Sequence, residues 1–377
     1  MASGDGLNLF CCFASFFKGI SMKQSTILLL LLGTAAGSAV AQTNVTIYGV
    51  ADVGVVAERG GSAGSVTKLT SGMASGSRLG FRGTEDLGGG LAANFLLETG
   101  IALDTGGFNQ ANTAFGRQAF VGLSGGFGGV TFGRQYTPQY VTLLLADPFS
   151  TGLAGDAANL MPNTGDASSR MNNAVKYVSP NLEGFTGELA YGFGEVAGDN
   201  SAAKQYGAAI GYANGPLAVR LGYHNRNNNT AVIKNSTSAK DTLLALTYDL
   251  KVAKLHFGYG VDKGTNSSPL RNTANPYGKL VAPSASTDSR DLLLGVTVPF
   301  GVHTVLASYI RKDDKNSANQ DASQWALGYR YAFSKRTDLY ASFARINNDN
   351  GAGYTVGSAI EAGSGDKAFS VGVRHTF

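Results

Sequence analysis

From residue 44 to the C-terminus one pattern recurs: segments of about ten residues in which apolar or aromatic side chains alternate with glycine, alanine and polar ones. In the segment from Ser323 to Phe333, Trp325, Leu327, Tyr329, Tyr331 and Phe333 share one parity while Gly328 and Arg330 share the other. The same alternation runs through Phe185, Leu189, Tyr191 and Phe193, through Leu217, Val219, Leu221 and Tyr223, through Leu255, Phe257, Tyr259 and Val261, and through Leu292, Leu294, Val296, Val298 and Phe300. Successive side chains of an extended strand point to opposite faces, so a period of two predicts strands with one apolar and one polar face. Sixteen are placed near 44–54, 76–84, 90–99, 115–124, 127–135, 172–179, 184–194, 203–213, 216–225, 240–250, 253–262, 289–299, 302–312, 322–333, 336–346 and 367–377.

The connections alternate as well. Short turns follow strands 2, 4, 6 and onward, whereas longer segments rich in Asn, Ser, Gly and Thr follow strands 1, 3 and 5. An even strand number with short turns on one rim and long loops on the other is the arrangement of a transmembrane barrel in a bacterial outer membrane. Ten tilted residues cover about 24 Å, close to the height of such a barrel's apolar band. Lipid offers no partner to an unpaired strand edge, so the last strand is expected to pair with the first. The predicted fold class is all-β: a sixteen-stranded antiparallel transmembrane β-barrel.

Composition narrows the alternatives. Mean hydropathy is −0.02 with 52 glycines in 377 residues, too apolar for disorder. The one long apolar run, Thr26 to Ala41, is shorter than the roughly 20 residues of a membrane-spanning helix. An exported soluble β protein with an apolar face on every strand would aggregate. Thirty basic against 26 acidic residues, without a dense basic run, leave no electrostatic footprint for nucleic acid.

Lys23, the apolar stretch Thr26 to Leu32 and Ala39-Val40-Ala41 before Gln42 read as a secretory signal peptide over 22–41, starting at Met22. Residues 1–21 are then an over-long gene start or, alternatively, an extended leader, and 42–377 form the barrel domain. Cys11 and Cys12 both fall in the part removed, and Phe10 before Cys11 does not suit a lipoprotein site.

On the parity opposite the apolar face lie Asp52, Arg78, Arg82, Glu98, Arg117, Lys176, Glu188, Arg220, Asp262 and Arg330, charges tolerable only in a water-filled lumen. Gly80, Ala119, Gly192, Gly207, Gly258 and Gly328 on this parity are expected to leave room for water. The longest connection, 136–171, carries an apolar stretch, Val141 to Ala146, with the acids Asp147, Asp156 and Asp166. It is expected to fold back against the inner wall and narrow the channel, its acids opposing the wall arginines. Arg134 shares parity with Val130 and Phe132 and so points outward, either to a subunit interface or above the apolar band.

Four stretches, 77–100, 117–138, 170–180 and the terminal Phe377, resemble the general trimeric porins of Gram-negative outer membranes, especially the β-proteobacterial branch. The resemblance covers essentially all of 42–377. It implies a homotrimer of sixteen-stranded barrels, a third long loop folded into each pore, and a terminal Phe377 that serves as an assembly signal. It also implies a field across the pore from basic wall residues to acids. Carried over by residue, the basic cluster maps to Arg78, Arg117 and Arg170 and a wall acid to Glu98; Lys176 and Arg82 follow from parity. The Pro-Glu-Phe-Gly turn of enteric porins is absent, with Asp147-Pro148-Phe149 nearby, so which of the loop acids faces the arginines stays open; Asp147 and Asp156 are taken as constriction candidates.

The function expected is passive diffusion of ions and small hydrophilic solutes across the outer membrane, with a weak anion preference because inward bases exceed acids. A substrate-specific channel or a loop-mediated adhesin or receptor is the alternative. An enzyme is disfavoured: His224, His256, His303 and His375 lie alone on different strands, with no nucleophile signature and no metal-ligand spacing. No cofactor is implied. The partners expected are outer-membrane lipid and lipopolysaccharide, two further copies of the chain, the outer-membrane assembly machinery acting on the last strand, and the solutes.

Overall fold

The computed structural model describes residues 44–110, 113–162, 169–234 and 236–377; the leader, Cys11, Cys12 and Asp166 lie outside them. In chain order the strands are β1 (Asn44–Arg59), β2 (Val66–Ser71), β3 (Arg78–Gly88), β4 (Leu91–Gly100), β5 (Gln118–Gly125), β6 (Gly128–Tyr136), β7 (Arg170–Val178), β8 (Phe185–Gly192) and β9 (Gln205–Asn214). They continue with β10 (Leu217–Arg226), β11 (Ala239–Asp249), β12 (Lys254–Lys263), β13 (Asp288–Phe300), β14 (His303–Asp314), β15 (Ala322–Ala332), β16 (Thr337–Asn348) and β17 (Lys367–Thr376). One helix, α1 (Pro138–Ala146), and a 3-10 turn, Ala157–Asn159, lie in the connection between β6 and β7.

β1 pairs antiparallel with both β2 and β3, from β3 onward each strand pairs antiparallel with the next, and β17 pairs with β1 from Val50↔Thr376 to Arg59↔Lys367, which closes the sheet. The seventeen segments make sixteen staves, because β2 and β3 share one. β2 pairs with the upper half of β1, from Val53 to Glu58, and β3 with its lower half, from Asn44 to Val50. Residues 72–77 between them leave the wall. That inward turn is held by Asp52, whose carboxylate accepts from the Ala74 and Ser75 amides at 3.0 and 2.8 Å and from the Tyr340 hydroxyl at 2.7 Å. Asp52, expected as a lumen charge, is therefore a buried structural anchor.

The alternation is expressed as expected over most of the barrel. Leu189, Ile210, Leu221, Leu294, Leu327, Phe369 and Val371 stand exposed on the outer face, where hydrocarbon replaces water. The parity counted from the sequence slips at the entry to β5. Arg117 precedes β5, and its amide donates to the Glu98 carbonyl at 3.1 Å, while Gln118 pairs with Glu98. Arg117 still reaches the lumen, but parity counted through it fails: Ala119 lies opposite Leu97 and Arg134 on the outer face, and Phe120 opposite Leu96 on the inner one.

The loop between β6 and β7 turns inward as predicted. Thr137 caps α1 by accepting from the Tyr140 amide at 3.1 Å, with Pro138 at the first helical position. The helix then lies along a seam of glycines on the wall. A Cβ added at Gly207 would come within 3.0 Å of Pro138, at Gly295 within 2.7 Å of Pro148, and at Gly328 within 2.7 Å of Phe149. These glycines are seats for the loop, which corrects the expectation that Gly207, Gly258 and Gly328 leave open water. Asp147 ends the helix and accepts from the amides of Phe149 (2.9 Å), Thr151 (2.8 Å) and Ala157 (3.0 Å). It fixes a tip in which Ser150, Thr151 and Leu153 all adopt left-handed φ between 52° and 55°, conformations costly to non-glycine residues.

Two further loops fold inward that the sequence pattern did not predict. In the connection 349–366, Ala352, Tyr354 and Val356 are buried in one cluster with Met73, Leu153 and Ala154. From 264–287, Arg271 reaches the loop after α1. The interior thus holds a packed apolar and polar plug, with Leu243, Leu293, Leu306 and Ile310 of the inner wall sealed beneath it.

Candidate pore constriction

Beside this plug remains a cavity of about 520 Å³, and Arg78, Arg117 and Arg170 all line it. Arg78 begins β3, Arg117 precedes β5 and Arg170 begins β7, so each sits where a stave meets its long loop and the closed register brings three distant positions to one level. Arg117 Nε donates to Glu98 at 2.7 Å, and Arg78 approaches the same carboxylate at 3.9 Å. Glu98 also accepts from the Tyr48 hydroxyl at 2.8 Å. The Tyr136 hydroxyl accepts from Arg117 Nη2 at 2.7 Å and from Arg170 Nη2 at 3.2 Å, and the Arg170 guanidinium stands 4.8 Å over the Tyr136 ring. A phenol supplies acceptor density between two cations without adding negative charge, which lets the arginines converge. Tyr136 was not singled out from the sequence, since on parity it is one aromatic among many.

The two described loop acids take separate roles. Asp147 does not face the arginines. It is fully buried on its own turn, and burial together with nearby Asp156 pushes its carboxyl up to about 7. Asp156 lines the cavity but is engaged: it accepts from the Ala158 amide at 2.8 Å and pairs with Arg271 at 3.1 Å. Burial raises its pKa, with Arg271 opposing the shift. Arg271 also donates to Asn159 Oδ1 at 3.1 Å and to the Ser358 carbonyl at 2.8 Å, and so ties three inward loops together. It lies in a loop with no periodicity, and no sequence signal marked it.

Lys176 and Arg82 do not line this cavity. Lys176 and Arg220 both pair with Glu188, and Arg220 Nε donates to Thr142 of α1 at 3.1 Å, a network that pins the helix to the wall. Arg82 lies further down β3, its guanidinium 5.2 Å over the Tyr48 ring. Asp262 is sealed behind the plug: Lys312 donates to Ser289 at 2.9 Å and to Asp291 at 2.9 Å, with Asp262 3.7 Å away. Arg134, on the outer parity, donates to the Gly116 carbonyl at 2.8 Å and to Asn172 within the same chain. At the other rim, Phe377 and Gly49 exchange backbone hydrogen bonds at 3.1 Å, so the last residue helps to complete the closure.

A closed barrel with an apolar belt outside and a charged interior narrowed by its own loops is a diffusion channel of the bacterial outer membrane. The chain belongs to the Gram-negative porin family, whose sequence profile matches residues 26–351. It is 35% identical over 380 residues to outer membrane porin protein 32 of Delftia acidovorans, covering 94% of this chain and 100% of that one. An outer membrane porin protein of Bordetella pertussis is 31% identical over 395 residues, with the same shares covered. Among solved structures, the anion-selective porin from Comamonas acidovorans superposes with a TM-score of 0.72 at 30% identity, over 89% of this chain and 100% of that chain. The family and these relatives are channels, and the chain is accordingly not an enzyme.

Proposed function

We infer that this channel passes ions and small hydrophilic solutes with a preference for anions, and that Arg78, Arg117 and Arg170 set that preference. The observation that carries the reading is the convergence of three arginines on one cavity, with Glu98 as the wall carboxylate against them among the described residues and Asp156 neutralised by Arg271. A surplus of fixed positive charge in a narrow aqueous passage concentrates anions and repels cations without conformational work. The relative from Comamonas acidovorans is described as anion-selective, which supports the same sign here. Chloride permeating faster than potassium in a salt-gradient reversal potential is the expected result, and a potential of the opposite sign overturns the reading.

The working unit we infer is a homotrimer in outer-membrane lipid and lipopolysaccharide, delivered through the signal peptide and assembled by way of the last strand. The folded protein should run in mild detergent as an oligomer that heat converts to monomer.

A further inference from the structure

Below the arginine cluster, on the same staves, the lumen wall changes character. Glu98, Leu96 and Asn94 follow one another inward along β4; Arg78, Gly80 and Arg82 do so along β3 toward the short-turn rim. Arg82 is four residues from Arg78, about 13 Å along the strand. It is exposed, and among the described residues no carboxylate lies within ion-pair distance of it. Its one described partner is the face of Tyr48, whose hydroxyl is bonded to Glu98.

Beside this unpaired cation stand two apolar side chains in a water-filled passage. Leu96 and Phe120 face each other across β4 and β5 on the inner side, and both remain partly exposed. Elsewhere on the inner wall, Leu243, Leu293, Leu306 and Ile310 are covered completely by the inward loops. Among the described residues no loop seals Leu96 and Phe120 in this way. With Thr46, Arg82, Thr84 and Asn94 they line a recess of about 360 Å³ open to the lumen. Polar and apolar groups converging on a recess of this size are what a small amphiphilic ligand requires.

We propose that this recess is a binding station for small aromatic monocarboxylates on their way through the channel. The carboxylate pairs with Arg82, and the ring lies against Leu96 and Phe120. The inference rests on the anion-channel reading and adds a substrate class to it. An inorganic anion would find the charge but gain nothing from the apolar wall, and a neutral aromatic would find the wall without the charge. The order of affinity is therefore benzoate above acetate, with benzamide weak.

The test is single-channel recording of the full-length protein in potassium chloride, with benzoate, acetate or benzamide added on the short-turn side. Benzoate should reduce the chloride current at a concentration about tenfold below that needed with acetate, the factor that about 1.4 kcal/mol of ring contact supplies. Phe120→Ala should bring benzoate to the level of acetate, and Arg82→Gln should remove block by both. Leu96→Asn gives a second reading of the apolar wall should Phe120→Ala fail to insert. Equal potency of benzoate and acetate, or unchanged benzoate block in Phe120→Ala or Leu96→Asn, overturns the proposal. The reversal potential measured in the same membranes keeps the two readings apart: anion preference without benzoate block sinks the station alone, whereas cation preference sinks the anion-channel reading whatever benzoate does.

Discussion

Arg117 and Glu98 meet at 2.7 Å, both buried, with the Tyr48 hydroxyl on the other oxygen of the same carboxylate. Removing one partner of such a pair leaves an uncompensated charge away from water, a loss of about 3 kcal/mol. The two single substitutions should part in transport while agreeing in stability. Glu98→Gln removes the wall acid that meets Arg117 and Arg78 and should raise the chloride-to-potassium permeability ratio; Arg117→Ala should lower it. Both should lower the temperature at which the folded form collapses in detergent. A ratio moving the same way in both variants would disconnect the pair from selectivity.

Burial and the nearby Asp156 push the Asp147 carboxyl up to about 7, outweighing the three amides that point at it. Its folded pKa lies above its unfolded value of about 3.8, so the folded state holds the proton more tightly. The stabilisation from that held proton is complete below pH about 4 and is lost as pH rises to about 7. Over three pH units this is up to about 4 kcal/mol. Asp147→Ala loses the three acceptor bonds at every pH but also loses this slope. The stability gap between wild type and Asp147→Ala, followed by heat collapse in detergent, should therefore narrow between pH 5 and pH 8. A gap that widens would show that the ionised carboxylate is the form the loop prefers.

Arg271 presents a separate case, since its partner Asp156 lines the cavity. Arg271→Ala removes a cation and leaves the buried acid unpaired, so Asp156 ionises at a higher pH than before. Anion preference should fall in this variant, and fall further at pH 8.5 than at pH 5.5 as Asp156 gains its charge. Adding Asp156→Asn should abolish the pH dependence. The Ser358 tie is lost as well, so the open-channel current should become noisier in the single and the double variant alike. A quiet, pH-independent Arg271→Ala channel would count against both roles.

What could be read from the sequence follows from where periodicity operates. Strand number, lipid parity, closure and the inward turn of the loop after β6 all come from alternation or from an apolar stretch that surface loops do not carry. The convergence of Arg78, Arg117 and Arg170 came from resemblance combined with parity. Parity failed at Arg117, where the chain enters β5 with one extra residue opposite Glu98, and counting through it put Ala119 on the wrong face. Arg271, Tyr354 and the turn held by Asp52 were not legible, because their positions depend on loops packing against one another across hundreds of residues. The inner glycines were misread for a related reason. A small residue facing the lumen reads the same whether water or a loop stands over it.

That ambiguity is open to experiment at the glycines themselves. Were Gly295 and Gly328 merely open lumen, a valine at either would narrow the passage and leave the fold alone. The structure puts Pro148 over Gly295 and the fully buried Phe149 over Gly328, each 2.7 Å from where a Cβ would stand. Overpacking of that kind costs about 1 to 3 kcal/mol. Gly295→Val and Gly328→Val should lower the collapse temperature and, by lifting the loop from its seat, alter single-channel conductance and its steadiness. Gly187 of β8 is the control. An added Cβ there meets nothing nearer than Ser179 Oγ at 3.9 Å, so Gly187→Ala should leave conductance unchanged and match or slightly exceed wild-type stability by restricting the unfolded chain. Valine variants as stable and as quiet as Gly187→Ala would mean that the loop does not rest on these positions.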